Sequence, residues 1–205
     1  MLAGGESARM GSPKESLDWG GVPLLAHVAA VVAEAVAPGP VVIVVRPGQE
    51  IPEPPAGVAV VRDAVEGNGP LQGIRDGLQA LEGRVELAFV AATDLPFLRP
   101  AFVRCVLRAL GPRFDAAIPV VRGHQHVLAS GYAVALAPTV DELLASGERR
   151  VRALLGCSRA RFLDEAELLA DTVLAADDPE LDSVVSTDTP AEYAAALARR
   201  RRSVG

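Results

Sequence analysis

The first fourteen residues concentrate groups that bind phosphate. An apolar entry, Met1-Leu2-Ala3, runs into Gly4 and Gly5, a hydroxyl at Ser7, a guanidinium at Arg9, another glycine at Gly11 and an ammonium at Lys14. Glycines let a backbone come close to a ligand and present bare N–H groups. The guanidinium fits phosphate oxygens as a bidentate fork, and the ammonium adds a compact charge. The spacing is not that of a Walker A loop. Asp94 is the counterpart of these cations. It follows the apolar run 87–91. A carboxylate at a strand end beside phosphate is a seat for Mg²⁺, a hard cation that takes carboxylate and phosphate oxygens together. Asp63 follows a second apolar run, 58–61, in the same way. Phosphoryl and nucleotidyl transfers depend on positioning and charge neutralisation, so one lysine, one arginine and one held Mg²⁺ form a minimal set. Arg9, Lys14 and Asp94 are therefore the candidate catalytic residues, and Asp94 the candidate metal ligand. The plainer role for Asp94 is structural: a cap for the helix starting near Pro100, or a brace for the Leu95-Pro96 turn.

Those residues need elements to bring them together. The unbroken apolar run at 41–45 reads as a strand covered on both faces, 58–61 and 87–91 read as a second and a third strand, and 116–119 and 127–133 read as later strands. Helical periodicity marks 24–36, 71–81, 100–110, 138–146 and 191–201. Pro100 and Pro190 stand at helix starts, where a missing N–H costs nothing. The alternation predicts an α/β, single-domain, Rossmann-like fold with a mostly parallel central sheet and helices on both faces. In such sheets ligands bind beyond the carboxyl ends of the strands. The glycine loop, Asp63 and Asp94 all fall there. Gly67-Asn68-Gly69-Pro70-Leu71 reads as a tight turn before a helix, and Gly73 permits close packing. Met1 and Leu2 alone precede Ala3-Gly4-Gly5, whereas a strand usually has about 5–6 residues. The expectation is a truncated first strand and a central ladder that lacks part of its bonds. The basic run Arg199 to Arg202 reads as favourable charge at a helix end followed by a frayed tail.

Composition excludes several classes. A chain of 205 residues suffices for one α/β core. Half of it is apolar, so it is not globally disordered. A net charge of −6 argues against a nucleic-acid or membrane-surface binder. Arg9 and Lys14 can still hold phosphate locally. No apolar run approaches the roughly 20 residues that span a bilayer. The start lacks the charged and apolar regions of a secretory leader. Cys105 and Cys157 are far apart and read as reduced thiols. A cytoplasmic monomer is expected, with no nucleic-acid or membrane partner.

The stretch L-A-G-G-x-S-x-R-M-G-x-x-K resembles the opening of nucleotidyltransferases of the molybdenum cofactor guanylyltransferase (MobA) type. Asp63 with Gly69-Pro70-Leu71-Gln72-Gly73, Thr93-Asp94-Leu95-Pro96-Phe97-Leu98, Arg149-Arg150-Val151 and Asp188-Thr189-Pro190 then follow in that family's order. The resemblance covers nearly the whole chain. It implies a MobA-like NTP transferase domain over 1–198, with a nucleotide half over about 1–100, an acceptor half over 101–198 and a basic tail at 199–205. It implies Mg²⁺-dependent transfer of GMP from GTP to the terminal phosphate of molybdenum-bound molybdopterin, with release of pyrophosphate. In the resembling family the residue matching Asp94 binds the metal. Backbone matching Leu2, Ala3 and Gly4 reads the guanine edge. The residue matching Asp63 contacts the nucleotide near its ribose. Gly5, Ser7, Arg9, Lys14, Gly69, Pro70 and Leu71 complete the nucleotide set, and His126, Arg150 and Asp188 fall to the acceptor. The resemblance also implies transient contact with a GTP-binding accessory protein, a molybdenum-insertion protein and molybdoenzymes.

The Leu-Ala-Gly-Gly opening and Gly-Pro-Leu-x-Gly resemble the guanylyl branch. The cytidylyl branch more often opens Ala-Ala-Gly, and sugar-phosphate nucleotidyltransferases usually have Thr-Arg-Leu where this chain has Ala8-Arg9-Met10. The acceptor half departs from the pattern. His126-Val127-Leu128 stands for Gln-Pro-Leu, and Ser186-Thr187-Asp188-Thr189-Pro190 for Asn-x-Asn-Thr-Pro. A nucleotide-contacting asparagine has no match near Val45-Arg46. Two other readings therefore stay open. One is a cytidylyltransferase, or another NTP transferase of the same fold, with a different phosphorylated acceptor. The other is a non-catalytic nucleotide-binding module that delivers cofactor. His124 and His126, alternate residues on a strand, form a metal pair or a polar lining. Arg149 or Arg150 meets an acceptor phosphate, or both are solvated.

Overall fold

The computed structural model describes residues 1–4, 10–63 and 69–204. The candidate residues Gly5, Ser7 and Arg9, and the turn residues Gly67 and Asn68, lie outside the described residues. In chain order the elements are α1 (Leu24–Val36), β1 (Val41–Val45), β2 (Val58–Arg62), α2 (Gly69–Leu81), β3 (Leu87–Ala91) and α3 (Pro100–Leu110). They continue with β4 (Ala116–Val121), β5 (His124–Gln125), β6 (Ala129–Ala133), α4 (Ala137–Ala145), α5 (Val151–Gly156), β7 (Ala160–Leu163), α6 (Glu165–Leu169), α7 (Thr172–Asp177) and α8 (Pro190–Val204).

The strand sequences show why helices lie on both faces. All five residues of β1 are buried, which fits an unbroken apolar run. In β3 the side chains alternate: Phe89 and Ala91 join the core that includes α1 and α3, whereas Ala88 and Val90 join the core that includes α2 and α4. Pro100 opens α3, and its apolar stripe Phe102, Val106 and Leu110 is fully buried. α2 starts two residues before the expected boundary, so Pro70 falls in its first turn.

The mostly parallel sheet is a correction. β1 and β2 form a two-stranded parallel sheet. β3, β6, β4, β5 and β7 form a second sheet in which β6 runs antiparallel to both β3 and β4, and only the β4–β7 pair is parallel. The cause is the link from β4 to β6. Arg122 (φ 51°) and Gly123 (φ 74°) make a two-residue turn with both φ positive, the geometry that suits a hairpin. Five residues from His124 to Leu128 then lead into β6 with no crossover helix, and a parallel return needs a crossover.

The first residues join the two sheets. Leu2 bridges Val44 of β1 and Ala92 just beyond β3, parallel to both. The Leu2 N–H donates to Ala91 O (2.8 Å), the Ala3 N–H to Val44 O (2.8 Å), and the Val44 N–H to Met1 O (2.9 Å). The short central strand expected from the sequence is this three-residue ladder between β1 and β3. The basic run lies at the end of α8, as expected, and the helix continues to Val204 where a frayed tail was expected. Arg199 pairs with Asp182 and lies over the Phe97 ring, and Arg200 lies over Trp19. Among the described residues no helix is long and apolar enough to cross a membrane.

Candidate active site

Lys14, Asp94 and Asp188 meet, although 174 residues separate the outer two. The Lys14 ammonium donates to Asp94 Oδ2 at 2.8 Å and to Asp188 Oδ1 at 2.7 Å. All three side chains are largely covered, with 17%, 20% and 35% of their surfaces exposed. Burial opposes the charge on Lys14, yet the hydrogen bonds and fields of the two carboxylates prevail and hold its pKa above the ordinary lysine value. Asp94 is not the cap of α3, whose N-cap position is Arg99. Asp188, expected from the sequence at the acceptor, shares the Lys14 ammonium with Asp94.

Each of the three residues is held by its own element. Lys14 opens a 3₁₀ turn, Lys14–Ser16, after Pro13. Its neighbour Glu15 is buried and accepts from Gln49 Nε2 (2.7 Å). That same amide donates to Ala3 O (2.8 Å), and Gln49 Oε1 accepts from the Arg46 N–H (3.0 Å). Gln49 thereby ties the lysine turn to the ends of β1 and the first ladder. Asp94 follows Thr93, whose hydroxyl donates to Leu2 O (3.0 Å), and its own carbonyl accepts from the Thr187 N–H (3.0 Å). Asp188 sits at the start of α8, where Glu192 Oε2 accepts from the N–H groups of Asp188 and Thr189 (2.9 Å each), and the Glu192 N–H donates back to Thr189 Oγ1 (3.3 Å).

An aromatic cluster clamps the three segments together. Trp19, 1% exposed, stands edge-on to Phe97 (5.5 Å between centroids) and beside Tyr193 (6.3 Å) and His27 (6.0 Å). Trp19 belongs to the lysine segment, Phe97 to the Asp94 segment and Tyr193 to α8. Tyr193 also donates to Asp18 O.

Asp63 forms a second centre. A Cβ at Gly4 would lie 3.4 Å from Asp63 Oδ2 and 3.1 Å from Arg46 Cγ, and a Cβ at Gly73 would lie 3.1 Å from Leu2 Cδ2. These two glycines make the close approach of Asp63, Arg46 and the first ladder feasible. Among the described residues, Asp63 Oδ1 and Arg46 Nε are buried without a partner. Burial first, then the charge of Asp76, raises the Asp63 carboxyl to about 6, and a hydrogen bond to Asp76 supports the protonated form. Asp76 is itself buried and accepts from Gln72 Nε2 (3.0 Å) and Arg75 Nη1 (2.9 Å). Buried polar atoms normally have partners, so an orphan acceptor and an orphan donor on either side of Gly4 mark a place where a ligand supplies them.

Other expected residues are placed differently. Leu2 and Ala3 have committed their N–H groups to the sheet, so what they offer is the second lone pair of each carbonyl. Gly69, with Pro70 and Leu71, opens α2, and its Cβ position lies 3.6 Å from Arg149 O. Arg150 is exposed and its guanidinium grips Glu148 (2.8 Å). His126 Nε2 lies 3.3 Å from Val121 O, and burial lowers its pKa. Among the described residues no cluster of three His, Cys, Asp or Glu stands ready for a metal, so the His124–His126 pair has no third ligand there. Arg46, Gln49 and Asp76 were missed in the sequence. Arg46 lay beside the position left without a matching asparagine, which was the one available signal.

A model of the MobA-like NTP transferase domain matches residues 1–166. A protein of Mycobacterium avium named probable molybdenum cofactor guanylyltransferase is 36% identical over 182 residues, covering 86% of this chain and 90% of its own. One from Mycobacterium tuberculosis strain H37Rv, of the same name, is 38% identical over 164 residues, covering 78% and 79%. A crystal structure of molybdopterin-guanine dinucleotide biosynthesis protein A from Archaeoglobus fulgidus superposes with a TM-score of 0.72 at 23% identity, over 98% of this chain and 97% of that one. The last similarity shows a shared α/β nucleotidyltransferase fold. From its matched residues and these relatives, the chain belongs to the MobA-like NTP transferase family.

Proposed function

We propose that the protein transfers GMP from GTP to the terminal phosphate of molybdenum-bound molybdopterin. The observation that carries the reading is the Lys14 ammonium held between Asp94, beyond the end of β3, and Asp188, ahead of α8, in a chain of this family. The acceptor phosphate oxygen attacks the α-phosphorus of GTP. A P–O bond forms there as the bond to the β-phosphate oxygen breaks, and pyrophosphate leaves with the bonding pair. Lys14 is placed to neutralise charge on the transferred and departing phosphates. Arg9 is assigned the outer phosphates as part of the same proposal.

Two carboxylates that converge on one cation are a donor set that suits Mg²⁺. Asp94 and Asp188 would hold it, and it would add charge neutralisation at the phosphates. Lys14 would then turn from the carboxylates to the nucleotide.

Asp63 and Arg46 support a nucleotide in the adjoining centre. A ribose hydroxyl can donate to the Asp63 carboxylate, and an acceptor on the nucleoside can take the Arg46 N–H. The spare lone pairs on Leu2 O and Ala3 O favour guanine, whose N1–H and N2 amino groups are donors on one edge. Cytosine presents one amino donor and two acceptors. The acceptor assignment of His126, Arg150 and Asp188 is part of the proposal, with Asp188 recast as a metal ligand.

The test is pyrophosphate release with molybdenum-bound molybdopterin and GTP, for the wild type and for Asp94→Ala. The expected result is release that requires both substrates and falls at least about a hundredfold in a folded variant. Nucleotide binding without release would favour a delivery module.

A further inference from the structure

We infer that Gln49 and Thr93 are positioning residues through which the identity of the base sets the phosphate-binding pair Lys14 and Asp94. This role rests on the proposed reading of Leu2 O and Ala3 O as guanine acceptors, and it falls to residues that act through their neighbours. Each of those two carbonyls is braced by one side chain. The Thr93 hydroxyl donates to Leu2 O (3.0 Å), and Gln49 Nε2 donates to Ala3 O (2.8 Å). A carbonyl oxygen has two lone pairs, so each brace leaves one for a ligand and fixes where it points. Both braces lead on to the ion pair. Thr93 precedes Asp94 in the chain. The second hydrogen of the Gln49 amide goes to Glu15 Oε1 (2.7 Å), and the buried Glu15 follows Lys14 in one 3₁₀ turn. Lys14 and Asp94 then meet at 2.8 Å. A bond made only to hold the sheet would end at the ladder, whereas the Gln49 amide also reaches the lysine turn.

The local sequence holds both braces firmly. Arg46-Pro47-Gly48-Gln49 has proline in its second place and glycine in its third, with φ 70° at Gly48, and the Gln49 N–H donates to Arg46 O (3.2 Å). That is the pattern of a type II turn. Gln49 Oε1 accepts from the Arg46 N–H (3.0 Å), and Gln49 O accepts from Arg62 Nη1 (3.2 Å). The amide cannot turn over. Its NH₂ would then face the Arg46 N–H, and its oxygen would face the Glu15 carboxylate and Ala3 O. Thr93 is buried. A base that donates to Leu2 O and Ala3 O draws both carbonyls to one position, and the braces carry that position to Asp94 and Lys14. A base that presents acceptors there repels them. Bonds of this supporting kind hold a site within about 0.5 Å of its working geometry, and a misplacement of about 1 Å can cost roughly a hundredfold in rate.

The test reads the coupling itself, by calorimetric titration of pyrophosphate with Mg²⁺ into the chain, alone and with saturating guanosine or cytidine. In the wild type guanosine should tighten pyrophosphate at least about fivefold, and cytidine should change it by less than about twofold. Thr93→Val removes the hydroxyl at nearly constant shape, and Gln49→Met removes the amide at similar length. In each the guanosine effect should fall below about twofold, whereas Thr93→Ser, which keeps the hydroxyl, should retain it. Urea melts of every chain separate a loss of stability, which a merely structural brace would also cause, from a loss of coupling, which it would not. Unchanged coupling in either folded variant would overturn the inference. A wild type that binds GTP yet takes pyrophosphate equally with guanosine, cytidine or neither would also overturn it, without the need for any variant to fold, and would leave the assignment of GTP standing. A wild type that binds no GTP would overturn that assignment and this inference with it.

Discussion

Lys14 neutralises two carboxylates with one ammonium, so its removal tests stability and chemistry at once. In Lys14→Met, Asp94 and Asp188 face each other unshielded. The side chains keep some contact with water, so we expect a modest loss of about 1–2 kcal/mol. Millimolar Mg²⁺ should reverse it, while turnover falls about a hundredfold or more. Thermal melts with and without Mg²⁺, beside the pyrophosphate assay, check both parts. Asp63 offers a different test. Its carboxyl titrates at about 6 through burial and the neighbouring Asp76, so it is mostly protonated at pH 5 and ionised at pH 7. If the carboxylate accepts from the nucleotide, GTP affinity rises between these values, and Asp63→Asn flattens the rise. Titrations across that range decide it. The sequence exposed Lys14, Asp63 and Asp94, because charge beside glycine or at a strand end has few structural uses. It did not expose Arg46, Gln49 or Asp76. Their roles arise from the parallel pairing of β1 with β2, which sets the ends of both strands against Gly4 and Gly73, and no local pattern encodes it.

At the scale of elements, the three charges come from three segments held by Trp19 and its aromatic neighbours. Trp19→Ala would empty a site that is 1% exposed, at a cost of about 3–5 kcal/mol. It should also lower kcat more than Asp63→Asn does, because it loosens the Lys14–Asp94–Asp188 geometry. Chemical denaturation and steady-state kinetics on the two variants make the comparison. Helices α1 and α3 and strands β1 and β3 have the bounds that periodicity gives. Each is uniform in pattern and flanked by proline, glycine or charge. Strand direction was less accessible. Apolar runs at 116–119 and 127–133 look alike whichever way they point, and the informative residues are Arg122 and Gly123, whose positive φ values reverse the chain. β5, β7, α6 and α7 are two to six residues long. Such lengths carry at most two full periods of pattern. The last residues of α8 lie beyond the expected bound at 201, among arginines that read only as helix-end charge. In the fold their stems and guanidinium planes cover Phe97 and Trp19.

Over the whole molecule, two sheets meet at three residues, and the Met1 amine lies at that junction. Burial lowers its pKa to about 5 from a usual value near 8. Between those values the unfolded chain binds a proton that the folded chain rejects. Stability therefore falls as pH drops from about 8 to about 5, by up to ~4 kcal/mol at 1.36 kcal/mol per unit. Urea melts at pH 8, 6.5 and 5 should show the slope, and acetylation of the Met1 nitrogen should remove it. The same junction carries the backbone proposed to read the nucleotide base, so fold and the proposed chemistry depend on one place. The measurement that bears most directly on the assignment is calorimetric titration with GTP, CTP and ATP, each with Mg²⁺, for the wild type and Asp94→Ala. The account predicts Mg²⁺-dependent binding of GTP in preference to CTP and ATP, weakened at least about tenfold in the variant, a loss of 1.4 kcal/mol. Equal affinity for the three nucleotides, or a variant that binds GTP as the wild type does, would contradict it.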